Sequence, residues 1–266
     1  MKRILSIVAA ALLLACCAPK PRLVIIHDND THSHFEAMRS GPAKGRGGLM
    51  ERAAFIDSVR KAEGASRVLL LHGGDFSQGT PYFTQFRGKV EDNVVNALGY
   101  DAVTLGNHEF DNGLKDLAWR LKEIGCPVVC ANVDFSGTEV EGMVKPYVIL
   151  ERAGMKIGII GLTADLASSV TSAVSSRITQ PDDAEAVNRW LPEVREKSDM
   201  VILLSHRGFQ EDCALVPKTS GLDLVIGAHS HVDMDEMRDL VDADGNVVPM
   251  ITDGSWALNM GLLKVW

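Results

Sequence analysis

Cysteine is scarce, with five in 266 residues, and two of the five, Cys16 and Cys17, lie near the start. The other three, Cys126, Cys130 and Cys213, are an odd number, which argues against a body held together by a disulfide framework. Cys126 and Cys130 bracket a predicted strand, where an extended chain holds them too far apart to bond to each other. They read as small buried apolar side chains. Beyond the N-terminus there is no apolar run long enough to cross a bilayer. Basic charge is also in short supply. The chain has 27 Lys and Arg against 35 Asp and Glu, a net charge of −8, which argues against sequence-independent binding to nucleic-acid backbones. No internal repeat, low-complexity tract or Pro/Ser-rich linker follows residue 21, so the body reads as one domain. Its 46% hydrophobic residues are enough for a well-buried core.

The N-terminus has a different composition. Met1-Lys2-Arg3 is a short basic start, Ile4 to Ala15 is apolar, and Cys16 and Cys17 follow. Basic start, short apolar run and small residues at its end are the parts of a secretory signal. Leu13-Leu14-Ala15-Cys16 also resembles a bacterial lipobox, and Ala18-Pro19-Lys20-Pro21 suits a tether. The expectation is a lipoprotein-type signal over residues 1–16 with cleavage before Cys16, a short tether over 17–22 and a folded domain over 23–266. The protein would then be exported and anchored by lipid, facing the periplasm or the cell exterior. The alternative is an ordinary cleaved peptide whose apolar region simply includes both cysteines.

Along the body, apolar runs alternate with amphipathic helical patterns, the mark of layered α/β architecture. Strands are predicted at Arg22–His27, Arg67–Leu71, Ala102–Leu105, Val128–Ala131, Lys156–Ile160, Met200–Leu204, Leu222–Ile226, Val247–Thr252 and Leu262–Trp266. Helices are predicted at Gly48–Glu63, Val90–Leu98, Leu114–Ile124 and Asp183–Lys197. The Ser- and Ala-rich stretch Ala164–Ser176 reads as a surface loop.

Polar residues of metal-ligand type fall at the C-terminal ends of five of these strands. Asp30-Thr31-His32 follows the first, Gly73-Gly74-Asp75 the second and Gly106-Asn107-His108-Glu109 the third. Ser205-His206-Arg207-Gly208 and Gly227-Ala228-His229-Ser230-His231 follow two later ones. Open α/β folds place their sites at that end of the strands. Imidazole and carboxylate together suit Zn, Mn or Fe rather than Mg or Ca. A carboxylate such as Asp75 can bridge two cations, and two cations about 3.5–4 Å apart suit phosphoryl chemistry. Taken singly, Asp30 and Asn107 could be turn formers and His206 a hydrogen-bonded structural histidine. Five coincident strand ends favour the ligand reading. His27 and His72 read as structural or as supports behind the ligands, Asp28 as such a support or a cap, and His34 as the rim of a pocket; Arg46, Arg52 and Arg207 are assigned no role.

The ordered motifs Asn29-Asp30-Thr31-His32, Gly74-Asp75, Gly106-Asn107-His108-Glu109-Phe110-Asp111, His206 and Gly227-Ala228-His229-Ser230-His231 resemble the calcineurin-like metallophosphoesterases. More narrowly, they are similar to the N-terminal catalytic domain of the bacterial 5′-nucleotidase / UDP-sugar hydrolase / 2′,3′-cyclic-nucleotide phosphodiesterase family. Gly79-Thr80, Asn96 to Asp101 and Ala131-Asn132-Val133 extend the match, which runs from about Leu23 to the C-terminus. The resemblance implies an α/β metallophosphoesterase β-sandwich flanked by helices, in a single domain. It implies two divalent ions, one held by Asp30, His32 and His231, the second by Asn107, His206 and His229, with Asp75 shared. His108 falls at the family's catalytic histidine and Asp111 at the carboxylate that orients it, while Glu109 becomes a supporting group. His231 departs from the glutamine often found at its position.

Implied with this is hydrolysis of a 5′-nucleotide phosphomonoester by in-line attack of a metal hydroxide. Two alternatives stand beside it. One is a different small phosphoester, such as a 2′,3′-cyclic nucleotide or a UDP-sugar; the other is an idle metal-bound lipoprotein that only binds partners. The family's C-terminal nucleoside-binding domain is expected to be absent from this chain, so a separate polypeptide carrying it is a candidate partner.

Overall fold

The structure is a computed structural model and describes residues 20–266. The expected signal, the lipobox and the first part of the tether lie outside the described residues. Eleven strands are formed among the described residues: β1 (Leu23–Asp28), β2 (Val68–His72), β3 (Ala102–Thr104), β4 (Val128–Val129), β5 (Tyr147–Arg152), β6 (Met155–Leu162), β7 (Met200–Ser205), β8 (Leu224–Ile226), β9 (Arg238–Val241), β10 (Val247–Ile251) and β11 (Gly261–Val265). The helices are α1 (Leu49–Glu63), α2 (Pro81–Phe86), α3 (Lys89–Leu98), α4 (Leu114–Glu123), α5 (Leu166–Ser169), α6 (Ser172–Ser175), α7 (Asp183–Lys197) and α8 (Phe209–Leu215).

Strands that are apolar at every position need cover on both faces, and this dictates the layering. In β1, Val24 and Ile26 pack toward α1 and α3, whereas Leu23 and Ile25 pack toward the other sheet. The same split recurs in β2, with Val68 and Leu70 on the helix side and Leu69 and Leu71 between the sheets. In the second sheet, Ile202 and Leu204 of β7 face the first sheet while Val201 and Leu203 meet Val187, Leu191 and Val194 of α7. The result is four layers, helices–sheet–sheet–helices. The sheets run β11-β1-β2-β3-β4 and β5-β6-β7-β8-β10-β9. The pairings β1–β2–β3–β4 and β6–β7–β8 are parallel, so each sheet presents several strand C-termini on the same side.

All nine predicted strands and all four predicted helices are present, with ends shifted by two residues or fewer. β5, β9, α2 and α8 have no counterpart in the sequence prediction. β5 and β9 are half-buried or exposed edge strands without a continuous apolar run. The loop prediction over Ala164–Ser176 is corrected: the segment contains α5 and α6. Asp165 caps α5 by accepting from the amide of Ala167 (3.1 Å), and Leu166 and Val174 are buried in the helix-side core. Those two apolar anchors, spaced among small polar residues, decide the conformation.

Candidate metal centre

The five strand ends meet where the parallel strands of both sheets terminate. The loops after β1 and β2 zip together, with Asp30 N donating to Gly74 O (3.0 Å), His32 N to Asp75 O (3.0 Å) and Ser33 N to Phe76 O (3.1 Å). Asp30, His32, Asp75, His229 and His231 all have φ between +46° and +70°, a left-handed backbone that residues with a Cβ rarely adopt. Each such residue costs on the order of 1–3 kcal/mol, and such strain collects where the surrounding structure must aim a side chain. The loop after β3 comes just as close. A Cβ on Gly106 would lie 2.0 Å from Asp75 Oδ1, so only glycine fits there. Glu109 locks the two loops together by accepting the amides of Gly106 (2.7 Å), Asp75 (2.9 Å) and Ser77 (3.1 Å).

Seven side chains converge. Ligand atoms of Asp30, His32 and His231 lie within 4.8 Å of one another, as do those of Asp75, His206 and His229, and those of His32, Asp75 and His108. His32 Nε2 is 3.0 Å from His231 Nε2 and 3.9 Å from Asp75 Oδ2; His206 Nε2 is 3.1 Å from Asp75 Oδ2 and 3.8 Å from Asp30 Oδ1. The tautomers follow from the partners at the other nitrogen. His206 Nδ1 lies 2.7 Å from Gly73 O, and His32 Nδ1 lies 3.3 Å from Ser77 O. A carbonyl only accepts, so Nδ1 carries a hydrogen and Nε2 is the nitrogen that faces the site, where its lone pair can serve a cation that displaces any proton on it. Two buried oxygens of these loops, Asp30 Oδ1 and Asn107 Oδ1, have no hydrogen-bond partner, and His206 Nε2 has only the Asp75 carboxylate 3.1 Å away. Buried polar atoms are almost always paired. Unpaired oxygens and imidazole nitrogens aimed at common points fit a divalent cation in each half of the site.

The electrostatics point the same way. Burial alone would push His206 down, but the Asp75 and Asp30 carboxylates outweigh it and lift it to about 10. Burial opposes the charge on Asp75 as well, and His206 nevertheless holds that carboxyl well below its usual range. Two buried carboxylates thus demand positive charge at this point. His32 and His229 are shifted down, chiefly by burial, which favours the neutral form that binds metal.

His108 sits at the mouth, its side chain 30% exposed, with Nδ1 2.9 Å from Asp111 Oδ2. Burial lowers its pKa, but the hydrogen bond to Asp111 and the charge of Asp75 raise it overall to about 9. Its amide donates to Asp75 Oδ1 (2.9 Å) and its ring lies 5.3 Å from that of His32. The site therefore has a buried floor and a cationic donor at its opening.

Residues outside the predicted set also shape it. Asn29 donates to Asp30 Oδ2 (2.6 Å) and Gly254 O (2.8 Å) and accepts from Asp253 N (3.1 Å), tying the site to the chain after β10. Trp256 N donates to Asp30 O (2.7 Å), and its ring stacks on His34 at 5.1 Å. Asn29 belongs to the first motif and was in view from the sequence; Trp256 is remote in the chain and carried no signal. His72 packs beneath the site, 3.1 Å from Thr31 Oγ1. His27 pairs with Asp253, and Arg207 Nε lies 2.6 Å from Asp183.

A family model described as calcineurin-like phosphoesterase matches residues 23–233. A 5′-nucleotidase from Bos taurus is 34% identical, over 98% of this chain and 49% of its own length. A snake venom 5′-nucleotidase from Naja atra is 35% identical, over 79% of this chain and 41% of its own. Among solved structures, a 5′-nucleotidase precursor from Thermus thermophilus superposes with a TM-score of 0.82 at 32% identity, over 90% of this chain and 50% of that one. This chain spans half or less of the length of these relatives. On the matched length and the arrangement of its ligand-type side chains, the chain belongs to the calcineurin-like phosphoesterase family.

Proposed function

We propose that this chain hydrolyses the phosphomonoester of 5′-nucleotides at a centre of two divalent cations of the Zn, Mn or Fe class. The observation that carries this reading is the gathering of ligand atoms into two groups, Asp30, His32 and His231 in one and Asp75, His206 and His229 in the other, each within 4.8 Å, with Asn107 Oδ1 buried and unpartnered on the loop after β3. Asp30, His32 and His231 would hold one ion and Asn107, His206 and His229 the other, with Asp75 shared. The ions, when bound, supply Lewis acidity and a nucleophile at neutral pH.

The protein's own part is positioning and charge. Strained backbone fixes five of the ligands before substrate arrives, so little reorganisation remains for the reaction itself. His108, held as a cation by Asp111, is placed to donate to a phosphoryl or leaving-group oxygen at the mouth. The nucleotide substrate is supported by the relatives named 5′-nucleotidase. The basic–apolar–Cys16 pattern supports export as a lipoprotein, and no described helix is long and apolar enough to cross a membrane.

The test is hydrolysis of 5′-AMP and of an aryl phosphate with added Mn²⁺, set against Asp75→Ala. Phosphate release from both esters that disappears in the variant supports the proposal. Equal rates in the two proteins would remove it.

A further inference from the structure

The described chain begins at a fixed point. Pro21 is buried, and Lys20 Nζ donates to Ala62 O (3.0 Å) in the last turn of α1. From Leu23 to Asp28, β1 then carries the backbone about 17 Å at the usual strand rise. The candidate metal centre lies beyond Asp28, so Lys20 and the centre stand at opposite ends of the first sheet. Cys16, the residue that the lipobox pattern would acylate, precedes Lys20 by four residues, a reach of about 14 Å when fully extended. An acyl group on Cys16 therefore meets a bilayer at the Lys20 end of the molecule.

The surface at that end has its own chemistry. Antiparallel pairing sets Leu23 against Val265, which puts Trp266, 71% exposed, beside Arg22. Lys264, in the next pair, reaches Glu63 at the end of α1 (2.8 Å). The hydrogen bond from Lys264, with the charges of Lys20 and Arg67, holds the Glu63 carboxyl below its usual range, so three cations stand close around it. Arg22 and Lys61 are exposed beside them. Five cations thus face one carboxylate, on a chain whose net charge is −8. The turn between β5 and β6 borders this patch, with Ala153 N donating to Ser66 O (3.1 Å). Its charges cancel: Arg152 pairs with Asp101, and Glu151 and Lys156 flank them.

We infer that this end of the molecule is a docking face for an anionic phospholipid surface, and that the metal centre is turned away from the bilayer. The inference rests on the lipoprotein reading of Leu13 to Cys16. Clustered Lys and Arg are drawn to anionic headgroups, and an exposed indole settles at the headgroup level, apolar body inward and N–H outward. One acyl chain alone gives weak attachment, and a basic patch beside it supplies the second signal. The mouth of the site then opens on the aqueous side, toward soluble esters.

The experiment uses the full-length chain, matured from its own signal in a bacterial host. It is reconstituted in vesicles of phosphatidylethanolamine with about one-third phosphatidylglycerol, their acyl chains brominated to quench indole emission. The chain has four tryptophans, and Trp256 and Trp266 lie at opposite ends. Trp266→Phe should remove most of the quenching, and Trp256→Phe should leave it unchanged. Lys61→Glu with Arg67→Glu should weaken quenching of Trp266, as should brominated phosphatidylcholine in place of the anionic mixture. Quenching that survives Trp266→Phe, that disappears in Trp256→Phe, or that ignores both charge changes overturns the inference. Labelled palmitate, supplied during growth, separates this from failure of the anchor. Incorporation into the parent and not into Cys16→Ser establishes the anchor, so a wrong quenching pattern then removes the docking face alone. A parent without label removes the lipoprotein reading and the docking face with it.

Discussion

Asp28 and Asp30 are two residues apart at the end of β1, and both are fully buried, yet they meet opposite surroundings. Asp28 is surrounded by donors. The Tyr100 hydroxyl lies 2.8 and 2.7 Å from its two oxygens, and Arg52 Nη1 lies 3.3 Å away. Asp30 Oδ2 has donors too, Asn29 Nδ2 and His229 N, but Oδ1 has none. It faces instead the Nε2 atoms of His231 (3.3 Å), His32 (3.8 Å) and His206 (3.8 Å). A buried carboxylate whose charge the chain itself neutralises holds the fold together. One ringed by imidazole nitrogens, each able to give up a proton and turn a lone pair inward, is arranged for something that binds.

The most severe test of this contrast is at Asp75, the carboxylate proposed to be shared by the two ions. Asp75→Ala should abolish ion binding in calorimetry and lower phosphoester hydrolysis by about 10⁴-fold, since several kcal/mol of charge stabilisation go with the ions. In chelator the variant should also be less stable than the parent, because it leaves the buried His206 without the Asp75 carboxylate 3.1 Å away and the His108 amide without its acceptor. Retained ion binding would break the comparison. His108→Asn comes next, lowering kcat by about 10²–10⁴-fold while ion stoichiometry stays as in the parent. Loss of ions in that variant would place His108 among the ligands.

At Asp28 the effect should appear in stability. Asp28→Ala leaves Arg52, only 4% exposed, without its partner, and removal of one member of a buried pair costs about 3–5 kcal/mol. Asp30→Asn, assayed by chemical denaturation in chelator, should cost far less. Equal losses at the two positions would erase the distinction drawn between them.

How much of this was legible in the sequence depends on range. The proposed ligand set was readable because each member follows an apolar run, and the parallel β1–β2–β3 and β6–β7–β8 pairings bring those runs to one side. The supporting geometry was not. Nothing local announces that Asp30, His32 and Asp75 take left-handed backbone, or that Trp256 closes against Asp30 from across the chain. α2 is short and starts at Pro81, so its six residues carry too little period to separate helix from turn.

Asp212 shows a third way to bury a carboxyl, and it yields the smallest of the expected effects. It is fully buried in α8, accepts from Ser205 Oγ (2.6 Å), and its Oδ2 has no partner. It has neither the cation that Asp28 has nor the convergent lone pairs around Asp30, and burial pushes its pKa up to about 7. The group therefore stays protonated in the folded chain at pH values where the unfolded chain, near 3.8, has already released its proton. Folding then takes up a proton between those limits, so this contribution to stability is full below about 4 and declines as pH rises through 7. Asp212→Asn keeps the shape and removes the titration. The difference in Tm between variant and parent should be nearly constant above about pH 7.5 and change by a few degrees between about pH 5 and 7, with the parent gaining as pH falls. A difference independent of pH would mean that Asp212 is ionised in the fold after all, with its charge met by a group that Asp28 shows how to recognise.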